Sequence, residues 1–99
     1  MKYDLVIRPE AESEMTDAYE WYELRAVGLG NQFLLSVDAV LQAVTRNPYQ
    51  YPEIFKSIRR GLVHRFPYAI LFIVHEGQIA VLAVFHAKRD PTQWEKRHS

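Results

Sequence analysis

Histidines and basic residues are the side chains of this 99-residue chain whose types and spacing offer the most chemistry. His64, His75 and His86 stand eleven residues apart and fall on separate predicted strands. No two of them have the i, i+4 spacing of a helical metal pair, and no group of carboxylates joins them. The chain has no cysteine, which excludes a thiolate zinc site, a disulfide framework and a thiol nucleophile. The sequence therefore predicts neither a metal site nor a cofactor.

Carboxylates near the N-terminus offer a possible general acid–base pair. They fall where the pattern predicts the outer face of an amphipathic helix, so a solvated helix face is the simpler interpretation. The set comprises Glu10, Glu12, Glu14, Asp17, Glu20 and Glu23. The nearby Gly28-Leu29-Gly30 lacks the third glycine and the Lys-Ser/Thr ending of phosphate-binding loops. It is interpreted as a turn between two helices.

The basic side chains of the second half are the strongest candidates for binding, because arginine and lysine bind phosphate or an acidic protein surface. They lie at the ends of predicted strands and comprise Arg59, Arg60, Arg65, Lys88 and Arg89. Trp94 follows them. Its indole either stacks on a base or fills a partner's groove, or it pins the C-terminal tail onto the sheet.

The overall charge of zero hides a division along the chain. Residues 1–56 hold five basic and nine acidic side chains, whereas residues 57–99 hold seven basic and three acidic ones. All four histidines lie in the second part. Such a division often marks an interaction with an anionic partner.

Hydrophobic periodicity predicts the elements that position these residues. Alternation indicates a first strand, apolar spacings of three and four indicate two helices joined by the glycine turn, and an aromatic loop precedes three strands. The predicted order is strand 2–8, helix 11–25, helix 31–46, loop 47–55 and strands 57–65, 68–75 and 78–85. The run 69–74 is apolar on both faces, which indicates a central strand.

These elements predict an α+β fold: a mostly antiparallel sheet that carries an antiparallel helical hairpin on one face. The length favours a single domain over residues 1–99, with a tail from about residue 90. The longest apolar stretch, 69–74, is too short to cross a bilayer, and the N-terminus shows no signal-peptide pattern. We expect a cytoplasmic protein with no membrane partner.

Several motifs in this order resemble the RelE/ParE superfamily of type II toxin–antitoxin toxins, and most closely its ParE, or plasmid-stabilisation, branch. The resemblance covers nearly the whole chain, and its most specific parts lie around residues 65–68 and 86–94. The motifs are Ala18-Tyr19-Glu20-Trp21-Tyr22, Gly28-Leu29-Gly30, Asn47-Pro48, Arg59-Arg60, Arg65-Phe66-Pro67-Tyr68, and Val84-Phe85-His86-Ala87-Lys88-Arg89-Asp90-Pro91 with Trp94.

The resemblance implies a small toxin that arrests growth and is neutralised by a co-expressed antitoxin, with which it forms a hetero-oligomer. RelE-like members of the superfamily cleave messenger RNA in the ribosomal A site without a metal. ParE-like members are described as inhibitors of DNA gyrase. Because both activities use the same fold, the fold does not choose between them.

Individual residues favour the gyrase inhibitor. The ribonuclease branch typically has an arginine where this chain has Ala69, and Trp94 lacks an ionisable hydroxyl. His86 and Arg89 stay open as a catalytic pair, since RNA cleavage needs a base for the 2′-OH and a positive charge for the phosphorane. A degenerate toxin that only binds its antitoxin is a third possibility.

The predicted contacts divide between two partners. For the target, gyrase or ribosome-bound mRNA, the candidates are Arg59, Arg60, Arg65, Lys88, Arg89 and Trp94. For an antitoxin segment we expect an apolar patch on the helical hairpin, formed by Trp21, Leu24 and Leu29. Core packing is an equally good interpretation for Trp21.

Overall fold

A strand, a pair of helices and four further strands make up the fold in the computed structural model, which describes residues 3–88 of the chain. The predicted α+β class is confirmed. The elements are β1 (Asp4–Ile7), α1 (Pro9–Arg25), α2 (Leu29–Arg46), a short 3-10 turn (Pro48–Gln50), β2 (Glu53–Phe55), β3 (Ile58–Leu62), β4 (Tyr68–His75) and β5 (Gln78–His86).

The sheet has five strands in the order β1-β5-β4-β3-β2. Strands β2 to β5 are antiparallel neighbours, whereas β1 pairs parallel with β5, with Asp4 opposite Gln78 and Ile7 opposite Val81. The connection between these two parallel strands runs through the helical hairpin and then through strands β2 to β4. The predicted central position of the apolar run 69–74 is confirmed, since β4 lies between β5 and β3.

The two helices bury one stripe each. In α2 the stripe is Phe33, Val37, Leu41 and Val44, all fully or nearly fully buried, as the periodicity predicts. In α1 the fully buried positions are alanines, so that helix approaches its neighbours closely. Pro9 occupies the first turn of α1, where its missing N–H costs no hydrogen bond.

A carboxylate and a glycine allow the two helices to pack closely at the turn between them. Both oxygens of the Glu23 carboxylate accept hydrogen bonds, from the backbone N–H of Gly28 and from that of Gly30, each at 2.9 Å. These bonds satisfy donors at the start of α2 that have no partner within the helix. A Cβ at Gly30 would stand 2.7 Å from the carbonyl oxygen of Tyr19, so the two helices could not lie this close with a larger residue there.

The structure differs from the predicted elements between residues 47 and 65. The predicted aromatic loop contains β2, which pairs with β3 through a tight turn at Lys56 and Ser57, both with positive φ. The prolines of this segment indicate a loop, so the sequence does not predict the short strand. Strand β3 ends at Leu62 and not at residue 65, and the connection to β4 follows, in which Arg65 adopts a positive φ of 74°.

The two faces of the sheet are unequal. One face packs against the helices through residues such as Ile70, Phe72, Val81 and Val84. The opposite surface, which we call the far face, carries a second apolar cluster of Ile58, Leu71, Leu82 and Ala83 with Ile54, Phe55, Ile73 and Phe85 around it. Neither helix of residues 3–88 is long and apolar enough to span a membrane.

Candidate functional site

Strand alternation separates the adjacent arginines of β3. Arg59 lies opposite Phe72 in the register and faces the helices, whereas Arg60 lies opposite Leu71 on the far face. The two side chains that the sequence placed in one binding set therefore point to opposite sides of the sheet.

The guanidinium of Arg59 is held inside the protein. Its Nη1 donates to the carbonyl oxygen of Tyr51 at 2.6 Å and its Nη2 to Oε1 of Glu53 at 3.2 Å. The group also lies 5.0 Å from the centre of the Tyr49 ring, and only 17% of the side chain is exposed. Arg59 thus ties the segment 49–53 to the sheet, and Arg60 is the more accessible of the two.

Two other candidates, Arg65 and Lys88, lie at one end of the sheet. The β3–β4 connection meets the end of β5 there, where the backbone N–H of Ala87 donates to the carbonyl oxygen of Pro67 at 2.7 Å. Arg65 and Lys88 are both exposed. We call this region, defined by Arg65 and Lys88, the basic end.

A groove of about 470 Å³ runs between α1 and the ends of β4 and β5. His86 forms one wall, and its ring packs against Tyr68 at 5.3 Å. Tyr22 lies behind Tyr68 with ring centres 6.2 Å apart, and its burial, together with Tyr68, raises the pKa of the Tyr22 hydroxyl. The opposite wall comes from α1 and includes Glu14, Asp17 and Trp21.

The groove presents carboxylates around His86. Glu14 Oε1 accepts the backbone N–H of Val84 at 3.0 Å, which places that carboxylate against β5, and Glu14 and His86 both line the groove. The Nδ1 of His86 accepts the backbone N–H of Lys88 at 3.1 Å, so the neutral ring carries its proton on Nε2. In this tautomer Nε2 can donate a hydrogen bond and cannot accept one.

The tip of the helical hairpin is apolar and exposed. Trp21 is 49% exposed and Leu24 is 85% exposed, while Leu29 is half-buried. The guanidinium of Arg25 lies 3.4 Å from the centre of the Trp21 ring and covers part of it. Val27, at 97% exposure, belongs to the same tip. Sequence reasoning missed Val27 because it lies in the turn, outside both helical stripes.

Two of the predicted site residues, Arg89 and Trp94, lie outside residues 3–88. Within that range no three His, Asp or Glu side chains come together in a way that could hold a metal ion. The groove was also missed from the sequence, because its walls come from positions about 70 residues apart.

Residues 3–88 thus form a small α+β domain with an exposed apolar hairpin tip and a basic end. A family model described as "ParE toxin of type II toxin-antitoxin system, parDE" matches residues 5–91. The chain belongs to the ParE toxin family, and the predicted resemblance to the ParE branch is confirmed.

Structural comparison agrees with that assignment. A solved structure described as the "Chromosomal ParDE TA system from P. aeruginosa" superposes with a TM-score of 0.74 and 16% sequence identity. The match covers 86% of this chain and 96% of that chain. At this identity the likeness establishes the fold. No curated protein matches the chain.

Proposed function

We propose that this ParE-family toxin arrests growth by inhibiting DNA gyrase in the cytoplasm and that a cognate antitoxin neutralises it. Membership of the ParE toxin family supports the general role. The choice of gyrase over messenger RNA rests on the chemistry of the groove around His86.

The acidic wall of that groove is the observation that carries the proposal. RNA cleavage needs positive charge beside the phosphorane and a base for the 2′-OH. The groove instead has Asp17 on the wall facing His86, where a carboxylate adds negative charge and not the positive charge that a phosphorane needs. The hydrogen bond from Lys88 to Nδ1 leaves His86 without a free basic nitrogen in the neutral ring. These features disfavour the ribonuclease that the sequence left open with His86 and Arg89.

The target contacts are proposed at the basic end and on Arg60. Arg60, Arg65 and Lys88 are exposed, and Arg89 is the next residue along the chain. An enzyme that works on DNA offers them phosphates and acidic protein surface. Arg59 contributes indirectly, because its internal bonds hold β2 beside β3.

The antitoxin contact is proposed at the hairpin tip. An amphipathic segment that lays its apolar face on Trp21, Leu24 and Leu29, with Val27 added, would cover side chains that otherwise stand in water. Leu24→Asp is expected to weaken antitoxin binding, whereas Ala39→Asp, at an exposed site in the body of α2, is expected to leave it unchanged.

Expression in cells tests the function. Induction of the chain without antitoxin should arrest growth with broken DNA while translation continues at first. The double variant Arg65→Ala/Lys88→Ala should lose the arrest, and Arg46→Ala, exposed at the end of α2, should retain it. Cleaved ribosome-bound messages would instead identify a ribonuclease, and growth without arrest would identify a degenerate toxin.

A further inference from the structure

The outer side of strand β1 is an edge of the sheet. Strand β1 comes first in the order β1-β5-β4-β3-β2, so it pairs with β5 on its inner side only. The backbone N–H groups of Asp4 and Arg8 donate inward, at 3.2 and 3.0 Å, to carbonyl oxygens of the β4–β5 turn and of β5. Because backbone groups alternate in direction along a strand, those of Leu5 and Ile7 point outward.

These outward groups are open. Within residues 3–88 the backbone N–H and carbonyl groups of Leu5 and Ile7 have no hydrogen-bond partner. The outward N–H of Tyr3, before them, already donates to the carbonyl oxygen of Thr45 at 3.1 Å. Pro9, after them, has no N–H. The open part of the edge therefore consists of two donors and two acceptors in the segment 5–7.

The side chains of this strand present opposite charges on one surface. Leu5 and Ile7 pack against the helices, so Asp4, Val6 and Arg8 point to the far face. Asp4 and Arg8 are exposed, and Val6 is 43% exposed. Neither charged side chain forms an ion pair within the described range of the chain. The edge thus offers one acid and one base, with an exposed valine between them.

This arrangement is complementary to itself in an antiparallel pair. When Val6 lies opposite Val6 of a second copy, Leu5 of each copy lies opposite Ile7 of the other, and the open groups can form four hydrogen bonds. The same register places Asp4 of each copy opposite Arg8 of the other. Two cross-strand ion pairs then flank the two valines.

Neighbouring registers fit less well. A pair centred on Leu5 would need the N–H of Tyr3, which is already bonded, and a pair centred on Ile7 would need an N–H that Pro9 lacks. Both shifts would also separate the acid from the base. Hydrogen bonding and charge therefore favour the same register.

We propose that the outer edge of β1 binds a second copy of this chain through antiparallel pairing of residues 4–8. The two five-stranded sheets then form one continuous sheet about a two-fold axis at Val6. Because this strand pairing is short, we expect a weak dimer with a Kd of roughly 1–100 μM. The proposal does not depend on the toxin's target or on its antitoxin.

Sedimentation velocity of the full chain between about 1 μM and 1 mM measures the dimer, and charge reversals test its contact. Asp4→Arg and Arg8→Asp each replace both ion pairs by like charges, so each should weaken dimerisation roughly tenfold or more. Both sites are exposed, and Arg8 is the N-cap of α1, where aspartate is favoured, so the variants should fold. Glu20→Arg, an equal charge change on the exposed face of α1, should leave dimerisation unchanged.

Mixing the two reversed variants tests the register. The Asp4→Arg chain carries two bases on this edge and the Arg8→Asp chain carries two acids, so each repels its own copies. In the mixed pair every base faces an acid, and native mass spectrometry should show a heterodimer at least as stable as the dimer of the unmodified chain.

Three results would overturn the proposal. The first is a chain that stays monomeric at about 1 mM. The second is a dimer that neither single reversal weakens, because it would then use another surface. The third is a failure of the two variants to form a heterodimer on mixing, which would contradict the register.

Discussion

The carboxylate of Glu14 accepts a hydrogen bond from the backbone N–H of Val84 at 3.0 Å, across 70 positions of sequence. The bond lies just past Val81, whose carbonyl oxygen accepts the N–H of Arg8 where β1 ends. Beyond the end of β1, the Glu14 carboxylate therefore replaces a strand as the hydrogen-bond partner of β5 on that side. The Val84 N–H is thus satisfied and is not available to pair with another chain.

Removing that carboxylate should destabilise the fold. Glu14→Ala leaves the Val84 N–H without its charged acceptor, and we expect a loss of about 1.5–3 kcal/mol in the free energy of unfolding. Urea denaturation measures it. Glu20→Ala, at an exposed position of the same helix, should change the value by less than about 0.5 kcal/mol. Equal losses in the two variants would show that the bond contributes nothing specific.

The two arginines of β3 should respond unequally to a conservative change. Arg59→Lys keeps the charge but loses the two guanidinium nitrogens that donate to Tyr51 and Glu53. The free energy of unfolding should therefore fall by about 1–3 kcal/mol. Arg60→Lys, at the exposed neighbour, should cost less than about 0.5 kcal/mol. Paired thermal and urea unfolding of the variants checks this. A stable Arg59→Lys variant would mean that the internal bonds of Arg59 are dispensable.

The helix pair should not tolerate a side chain at Gly30. Gly30→Ala puts a Cβ 2.7 Å from the backbone oxygen of Tyr19 and 2.8 Å from its ring, so the helices must separate. We expect a loss of about 1–3 kcal/mol, although alanine is the better helix former. Asn31→Ala, at the next and exposed position, is the control. A Gly30→Ala variant as stable as that control would refute the close approach.

Stability should fall at high pH through Tyr22. Burial raises the pKa of Tyr22 above its ordinary value of 10.0, and Tyr68 adds to the rise. The folded chain therefore keeps a proton that the unfolded chain releases. Stability is unaffected below about pH 10 and declines as the pH rises from there through the folded-state pKa. Urea midpoints across this range should fall less steeply for Tyr22→Phe, and identical slopes would contradict the shift.

Periodicity and apolar runs predict the parts of the fold that depend on local pattern. The buried stripe at Phe33, Val37 and Leu41 and the central position of β4 follow from them. The parallel pairing of β1 with β5 depends on the path of the chain between them. The spacing of residues within each strand does not predict which residues are paired. Strand β2 was not predicted for a different reason, because the proline and aromatic residues around it indicate a loop.

The candidate site was less predictable, because a residue type does not reveal its partners. Arg59 and Arg60 look equivalent in the sequence, yet alternation gives one of them internal acceptors and leaves the other in water. Likewise Glu14 looks like any acid on a solvated helix face. Its role depends on β5 passing beside it, which only the tertiary fold establishes.

We propose above that this ParE-family toxin acts on gyrase. The most direct measurement is supercoiling of relaxed plasmid by purified gyrase, titrated with the purified full chain, with cleaved DNA measured in the same samples. Loss of supercoiling with accumulation of cleaved DNA near stoichiometric toxin is the predicted result, and prior addition of antitoxin should prevent it. Unchanged supercoiling at a large excess of toxin would contradict the account.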